Sequence, residues 1–374
     1  MSEGFLPSML RRLKRDQLVY LLAVLYWAWV YGNALAIGAE QLFAPYSYLM
    51  TFPLLAPITA IMVIVSAGKL APQRQVYGEL ASTWMLQATL MLFMGALTSF
   101  KNLIPLLGHY DWDVVLARID LTIHGGIDPW TLFAGVLERD WLLRALELVY
   151  GPLWLMLLGL FPMYVAIFEK DLRKRFQFIV GFVFCWILLG TLSAFLFRSV
   201  GPAFYEYVTG DGERFGVLRI LLERTGGHPF SAFDIQGYLW DLHSNGVAGT
   251  GSGISAFPSL HVSMATLIFT YACRHSTWMA VLAGGFVLII LCGSVVLGWH
   301  YAVDGYASII CTPLIWRGLG LAFDAYGRTR AERLPHVLRS ELAVAVSPET
   351  PPAPRAPHPA PLPPDNARCS PARP

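Results

Sequence analysis

The sequence contains little charge. Only 14% of its 374 residues are Asp, Glu, Lys or Arg, whereas soluble domains carry about 25%. Hydrophobic residues make up 55%, and the mean hydropathy is +0.52. A chain of this length with so few charges cannot cover a water-facing surface in the ordinary way, which argues against a soluble enzyme.

Nucleic-acid binding and a disulfide framework also lack support. The 27 basic residues nearly balance the 25 acidic ones and form no stripe that would follow a duplex, so no nucleic-acid partner is expected. The five cysteines are an odd number, and four of them lie in apolar runs. None has a spacing typical of zinc ligands, and none suggests a disulfide pattern.

Long apolar runs are what the sequence does contain. A helix needs roughly 20 apolar residues to cross about 30 Å of hydrocarbon. Eight runs of about that length are bounded by charge, Gly or Pro, and the sixth is the shortest. They predict membrane spans at 18–39, 48–68, 80–100, 146–168, 176–197, 257–273, 278–297 and 301–322.

The distribution of Lys and Arg predicts how these spans are oriented. The basic residues of the short loops fall on one side of the predicted bundle, at 11–15, 69–74, 170–175, 274 and 317–333. By the positive-inside rule this side is the cytoplasm, so both termini are expected inside. We interpret the chain as a multi-pass integral membrane protein of a bacterial inner (plasma) membrane.

The first span also imitates a signal peptide, because a basic stretch and an apolar run lead to Ala34-Leu35-Ala36, a small-residue pattern typical of cleavage sites. The length of the apolar run favours an uncleaved span over a cleaved signal peptide. Cleavage would leave the orientation of the later spans unchanged.

Three segments outside the spans differ in character. Residues 111–138 have helical spacing interrupted by Gly125-Gly126, which predicts two short helices lying at the membrane interface. Residues 199–256 form a loop too long for a passive connection. The tail at 335–374 contains 12 of the 25 prolines and is expected to be disordered, as a solvated extension more than a docking segment.

Ionisable groups at membrane depth are costly and therefore candidates for function. His261 and His300 are 39 residues apart, about two membrane crossings at ~1.5 Å per residue, so a helical hairpin returns the second imidazole to the face of the first. Asp304 follows His300 by one helical turn and can hold one of its ring nitrogens. His300 is then suited to nucleophilic attack or general-base work, and His261 to protonating a leaving group. Metal binding by the same three side chains is the alternative.

The motifs around these residues resemble those of a known family. FPSLH at 257–261 and SVVLGWHYAVD at 294–304 are similar to the second and third signature motifs of the type 2 phosphatidic acid phosphatase superfamily. Leu before the first His, and Gly-Trp-His-Tyr around the second, are most similar to its inositol phosphorylceramide synthase-like branch, whose members are inositolphosphotransferases. The resemblance covers residues 198–311 well and 111–130 more loosely.

The resemblance implies a phosphoryl transfer without metal or cofactor. His300 would become a phosphohistidine, Asp304 would orient it, and His261 would protonate the departing alcohol. The donor would be a lipid phosphate or phospholipid head group, and the acceptor water or a polyol. Ser259 and nearby backbone amides would bind phosphate oxygens, as helix N-termini do.

Two phosphate-binding features of the family are missing. The first signature motif is replaced by RSVGP at 198–202, and Ser294, six residues before His300, has no neighbouring Arg. Arg198 is the best substitute, followed by Lys101 and Arg118. Fewer positive groups favour a phosphodiester over a dianionic monoester.

These observations predict an all-α, polytopic membrane helical bundle. A cytoplasmic segment and two additional helices at 1–78 would precede a six-helix catalytic domain at 79–325 with non-cytoplasmic loops at 101–144 and 199–256. The expected activity is that of a lipid phosphatase or phosphotransferase. The alternative is a lipid-phosphate transporter or flippase, which requires paired polar residues through the depth of the bundle. The available ones are scattered: Asn33, Gln87 and Glu147.

Overall fold

The computed structural model describes residues 5–68 and 71–332, and all regular structure within them is helical. This confirms the predicted fold class. The tail predicted to be disordered, 335–374, lies outside the described residues. In chain order the helices are α1 (Phe5–Ala36), α2 (Phe52–Ala67), α3 (Gln73–Leu107), α4 (Asp113–Ile123), α5 (Ala134–Leu137), α6 (Asp140–Leu148), α7 (Trp154–Phe168), α8 (Leu172–Ile187), α9 (Ala194–Leu196), α10 (Tyr205–Thr209), α11 (Glu213–Glu223), α12 (Ala232–Ser244), α13 (Leu260–Ala272), α14 (Thr277–Val296) and α15 (Ala302–Glu332).

Seven helical segments within the described ranges are long and apolar enough to cross a membrane, and they correspond to seven of the eight predicted spans. The protein is therefore an integral multi-pass membrane protein. The seven segments are Arg15–Ala36, Leu49–Ala67, Gln73–Leu107, Asp140–Phe168, Leu172–Leu196, Thr277–Val296 and Ala302–Gly327.

The sixth predicted span, 257–273, is shorter than expected. Its helix, α13, has 13 residues, or about 20 Å at ~1.5 Å per residue. Ser259 sets the start, because its Oγ accepts the N–H of Val262 at 3.4 Å and ends the extended approach through Pro258. The apolar run that predicted this span begins before the cap. The backbone before the cap is not helical, so the helix is shorter than the run. With α14, α13 forms the helical hairpin that the sequence predicts.

Basic segments from three parts of the chain meet at one end of the bundle. A buried ion pair joins Asp16 of α1 to Arg175 of α8 at 2.6 Å, and Lys174 donates to the carbonyl of Arg274 at 3.1 Å. The predicted basic loops at 170–175 and 274 therefore lie together with the beginning of the first span. The assignment of this end to the cytoplasm stays a prediction.

The two N-terminal helices pack on the helices that follow. Tyr26 of α1 contacts the ring of Phe93 in α3 at 4.9 Å and shares a hydrogen bond of 2.7 Å with Thr191. Residues 1–323 form one compact unit. A second unit, 324–374, is described only to residue 332, within α15. The division of the bundle at residue 78 stays a prediction.

The two segments expected to be more than connections are both structured. In 111–138, Gly125 and Gly126 have φ of 67° and 85° and separate α4 from a 3-10 helix and α5, as the pattern predicts. The long loop at 199–256 contains α10, α11 and α12. Glu147 fastens this loop to α6 by accepting hydrogen bonds from the Thr225 hydroxyl and the Ala232 N–H at 2.9 and 2.8 Å.

Candidate active site

The two histidines predicted to act together lie side by side. His261 is in the first turn of α13, and His300 is in the turn between α14 and α15. Their ring centroids are 6.5 Å apart at an interplanar angle of 60°. The antiparallel return of α14 brings them together, as their sequence separation predicts.

His300 and Asp304 form a buried pair. Nδ1 of His300 lies 3.2 Å from Oδ2 of Asp304, and the same oxygen accepts the N–H of Tyr301 at 3.1 Å. The sequence placed both residues on one helix face, but α15 begins only at Ala302, so His300 precedes the helix. The contact forms because Asp304, in the first helical turn, faces back toward the turn that carries the imidazole.

The surroundings keep His300 neutral. Burial lowers its pKa to about 3, the positive charge of Lys101 acts in the same direction, and a hydrogen bond with the Ala256 backbone opposes both. At neutral pH the imidazole therefore has a lone pair. Asp304 occupies Nδ1, which assigns this lone pair to Nε2.

His261 lies against two aromatic rings. Its imidazole stacks on Trp154 with a centroid distance of 3.8 Å and on Tyr150 at 4.2 Å. A π-helical turn, Val149–Leu153, places both aromatic residues there, and it contains Pro152. Proline cannot donate the helical hydrogen bond, and such wide turns are frequent at functional sites. The sequence signal for the stacking on His261 was Pro152 between Tyr150 and Trp154. Sequence reasoning did not single out these residues.

Two of the predicted phosphate-binding residues lie at the histidines. Lys101 acts electrostatically on both imidazoles, and its Nζ lies 3.5 Å from the carbonyl of Ser255. Ser259 caps α13 one residue before Leu260, and its N–H donates to the carbonyl of Asp304 at 3.2 Å. The start of α13 thus contacts the start of α15.

The other two predicted phosphate-binding groups have hydrogen-bond partners of their own. The guanidinium of Arg198 is held by the carbonyls of His109 and Phe195, at 2.8 and 3.3 Å, and by Asp111 at 3.8 Å. The Ser294 hydroxyl donates to the carbonyl of Leu291 in its own helix at 2.7 Å. Both side chains satisfy the backbone locally, a use that motif spacing does not reveal.

Ser294 still shapes the site through its backbone. Its carbonyl accepts the N–H of Trp299 at 3.0 Å and that of His300 at 3.1 Å, which closes the turn after α14. Arg118, the remaining candidate cation, is exposed on α4. Lys101 is therefore the predicted cation that the fold places at the two histidines.

Asp120 of α4 also positions the site and was not singled out in the sequence. Its two carboxylate oxygens accept the N–H groups of Ala302 and Val303, each at 2.9 Å. It therefore caps the start of α15 from a different helix and places negative charge where the helix dipole favours it.

A metal centre receives no support from the geometry. In the part of the chain that the structure describes, no three His, Cys, Asp or Glu side chains are grouped as metal ligands. The hydrogen bond between His300 and Asp304 uses only Nδ1 of the imidazole and Oδ2 of the carboxylate.

The described residues form a multi-pass helical membrane protein with a buried His–Asp pair facing a second histidine. The sequence pattern of the PAP2 superfamily matches residues 114–317, more than half of the chain. The chain therefore belongs to the PAP2 superfamily, whose members are generally phosphatases or phosphotransferases acting on lipid phosphates. The match confirms the resemblance at the level of the superfamily. No curated protein and no solved structure matches the chain.

Proposed function

We propose that this protein is a membrane enzyme that transfers the phospho-head group of a lipid through a phosphohistidine at His300. The observation that carries the proposal is the hydrogen bond of 3.2 Å between His300 and Asp304, with the ring of His261 6.5 Å away. A nucleophile fixed by a carboxylate and facing a second imidazole is the arrangement that two-step group transfer needs.

The chemistry runs in two balanced steps. In the first, the Nε2 lone pair of His300 attacks phosphorus, the bond from phosphorus to the lipid alkoxide breaks, and protonated His261 gives that oxygen its proton. In the second, His261 takes a proton from water or a polyol, whose oxygen attacks phosphorus while the P–N bond breaks.

The aromatic rings beside His261 suit its role as the acid. The faces of Tyr150 and Trp154 lie parallel to the imidazole within 11° and 28°. A cation over an aromatic face is stabilised by the ring quadrupole, so these rings offset part of the cost that burial and the positive charge of Lys101 impose on the protonated form, which the first step consumes.

The charge of the site favours a phosphodiester as donor. Lys101 supplies one positive charge at the two histidines, whereas Arg198 is held by His109 and Asp111. One cation balances the single negative charge of a phosphodiester better than a dianionic monoester. This agrees with the resemblance to inositolphosphotransferases, and we infer a phospholipid head group as the transferred unit. We place the reaction on the non-cytoplasmic face, opposite the basic end of the bundle.

A transporter would need a polar path through the bundle. The polar residues considered for this role have separate partners: Gln87 accepts a hydrogen bond from Thr59, and Glu147 accepts from Thr225. Asn33 donates to the carbonyl of Trp29 in its own helix at 2.7 Å. Because these three residues form hydrogen bonds in separate places, the contacts support structural roles and not a continuous transport path.

The first prediction concerns turnover. The purified protein in vesicles of phosphatidylinositol, with water or added glycerol as acceptor, should release or transfer inositol phosphate, read by mass spectrometry, and parallel vesicles of phosphatidic acid should report phosphate release. His300→Ala should lose activity by a factor on the order of 10⁴ or more, and His261→Ala by roughly 10² to 10⁴. A chelator should leave the rate unchanged.

Several results would contradict this proposal. Turnover that persists in His300→Ala excludes the phosphohistidine, and loss of activity with the chelator that divalent ions restore supports the metal alternative. Absence of turnover in both vesicle types, with lipid movement between leaflets that survives His300→Ala, supports the transporter.

A further inference from the structure

Asp113, the first residue of α4, is a buried carboxylate that the proposed chemistry does not use. It is 1% exposed. Its Oδ1 accepts the N–H of Gly201 and the hydroxyl of Tyr301, both at 2.9 Å, and its Oδ2 accepts the N–H of Val200 at 2.9 Å. Three donors from two distant parts of the chain therefore converge on one side chain.

The first of these parts leads to His261. Ser199, next to Val200, is fully buried; its carbonyl accepts the N–H of Ala256 at 2.8 Å, and its hydroxyl accepts the N–H of Phe257 at 3.1 Å. Residues 256–257 lead directly into the capped start of α13. By holding the backbone after Ser199, Asp113 fixes the segment on which the loop before His261 rests.

The second part leads to His300. Tyr301 is adjacent to it in the chain and donates its own N–H to Asp304. The segment that Asp113 holds also packs along this turn: the N–H of Ala203 donates to the carbonyl of Gly298 at 2.8 Å. Gly201 has a φ of 86°, and a Cβ on it would lie 2.5 Å from the carbonyl oxygen of Trp299. Only glycine fits this close approach.

We propose that Asp113 is a positioning residue that sets the separation of His261 and His300, by joining the backbone at 200–201 and the Tyr301 hydroxyl to a single carboxylate. This inference rests on the proposed function. A carboxylate is suited to the task because it only accepts hydrogen bonds. An amide in its place would point an NH2 group at one of the three donors.

The consequence for the reaction is geometric. A displacement of ~1 Å between reacting groups costs on the order of 100-fold in rate. Asp113→Asn should therefore lower kcat by roughly 10- to 100-fold, with KM within about twofold because no substrate contact is lost. Tyr301→Phe, which removes one of the three donors, should give a smaller loss in the same direction. In the double variant the two effects should not add, since they share one hydrogen bond.

The experiment measures kcat and KM of these variants in the vesicle assay described above, with Asp241→Asn, an exposed Asp on α12, as the matched control. Histidine 15N chemical shifts, recorded without substrate, report the hydrogen bond of His300 directly. We expect them to move in Asp113→Asn and Tyr301→Phe and to stay unchanged in Asp241→Asn. Tyr301→Phe keeps the test open if Asp113→Asn fails to fold.

Each outcome decides one question. Unchanged 15N shifts, or a kcat in both site variants equal to that of Asp241→Asn, overturn the positioning role. A wild-type protein without turnover dependent on His300, but with shifts that move in Asp113→Asn, overturns the proposed function and leaves the positioning role standing.

Discussion

His300 shows how one residue can be predicted well while its surroundings are not. The spacing of His261, His300 and Asp304 was sufficient to predict that they lie close together, because a hairpin of two spans returns the chain to the same side of the membrane. Tyr150 and Asp113 could not be assigned in this way. One depends on a π-helical turn and the other on a hydrogen bond across 188 residues, and neither leaves a periodic pattern.

Asp113 also gives a prediction about stability. Burial raises its pKa to about 6 against the hydrogen bonds from Val200 and Gly201, while the ordinary value is 3.8. Between these two values the folded protein binds more protons than the unfolded chain, so the contribution of Asp113 to stability falls as the pH rises through this window. Across this window the contribution of Asp113 to the free energy of unfolding falls by about 3 kcal/mol, because the folded and unfolded pKa values differ by ~2.

Thermal unfolding in detergent at pH values from 4 to 7 measures this effect. The decline in unfolding temperature from pH 4 to 6 should be smaller in Asp113→Asn, which cannot ionise, than in the wild type. The exposed-site variant Asp241→Asn serves as control. Identical pH dependence of wild type and Asp113→Asn would show that this carboxyl titrates near its ordinary value.

Helix boundaries account for most differences between the predicted and the observed elements. Apolar run length located the spans because hydrocarbon thickness sets it. It did not locate the start of α13, which the cap at Ser259 determines, or the start of α15 at Ala302, which Asp120 caps from α4. Capping across the fold depends on tertiary contact, so no local pattern around 301–304 could indicate it.

The cap on α15 can be tested by removing its acceptor. Asp120→Ala leaves the N–H groups of Ala302 and Val303 without their partner and should lower the free energy of unfolding by about 1–2 kcal/mol. Faster hydrogen exchange at these two amides, read by mass spectrometry, should accompany it. Thr122→Ala, an exposed change on the same helix, is the control. Equal exchange in both variants would contradict the capping role.

The bundle has two chemically different ends. One contains the histidine pair, and the other contains the cluster of Arg175, Lys174 and the chain around Arg274. The charge pattern predicted that the basic segments share a side, because orientation follows from charge counted in short loops. The long loop 199–256 contacts the bundle through individual side chains, such as Glu147. The overall composition of the chain cannot identify which side chains make these contacts.

Orientation can be tested with Cys273, an exposed thiol at the basic end. If this end is cytoplasmic, a membrane-impermeant thiol reagent should leave Cys273 unlabelled in intact cells and label it after permeabilisation. Thr250→Cys, at an exposed position in the long loop, should be labelled in intact cells. These measurements use a Cys369→Ser background, so that the tail thiol does not contribute. Labelling of Cys273 in intact cells would reverse the proposed orientation.

The hydrogen bond between Asp113 and Tyr301 has a consequence for how the protein is made. The carboxylate is synthesised 188 residues before its hydroxyl partner, and chains leave the ribosome from the N-terminus onward. During that interval the nascent chain has α4 but not the turn that His300 occupies. If His300 is the nucleophile, as proposed, the active site is therefore complete only after the last span has been synthesised. A product that ends before residue 300 would lack both the proposed nucleophile and the hydroxyl partner of Asp113.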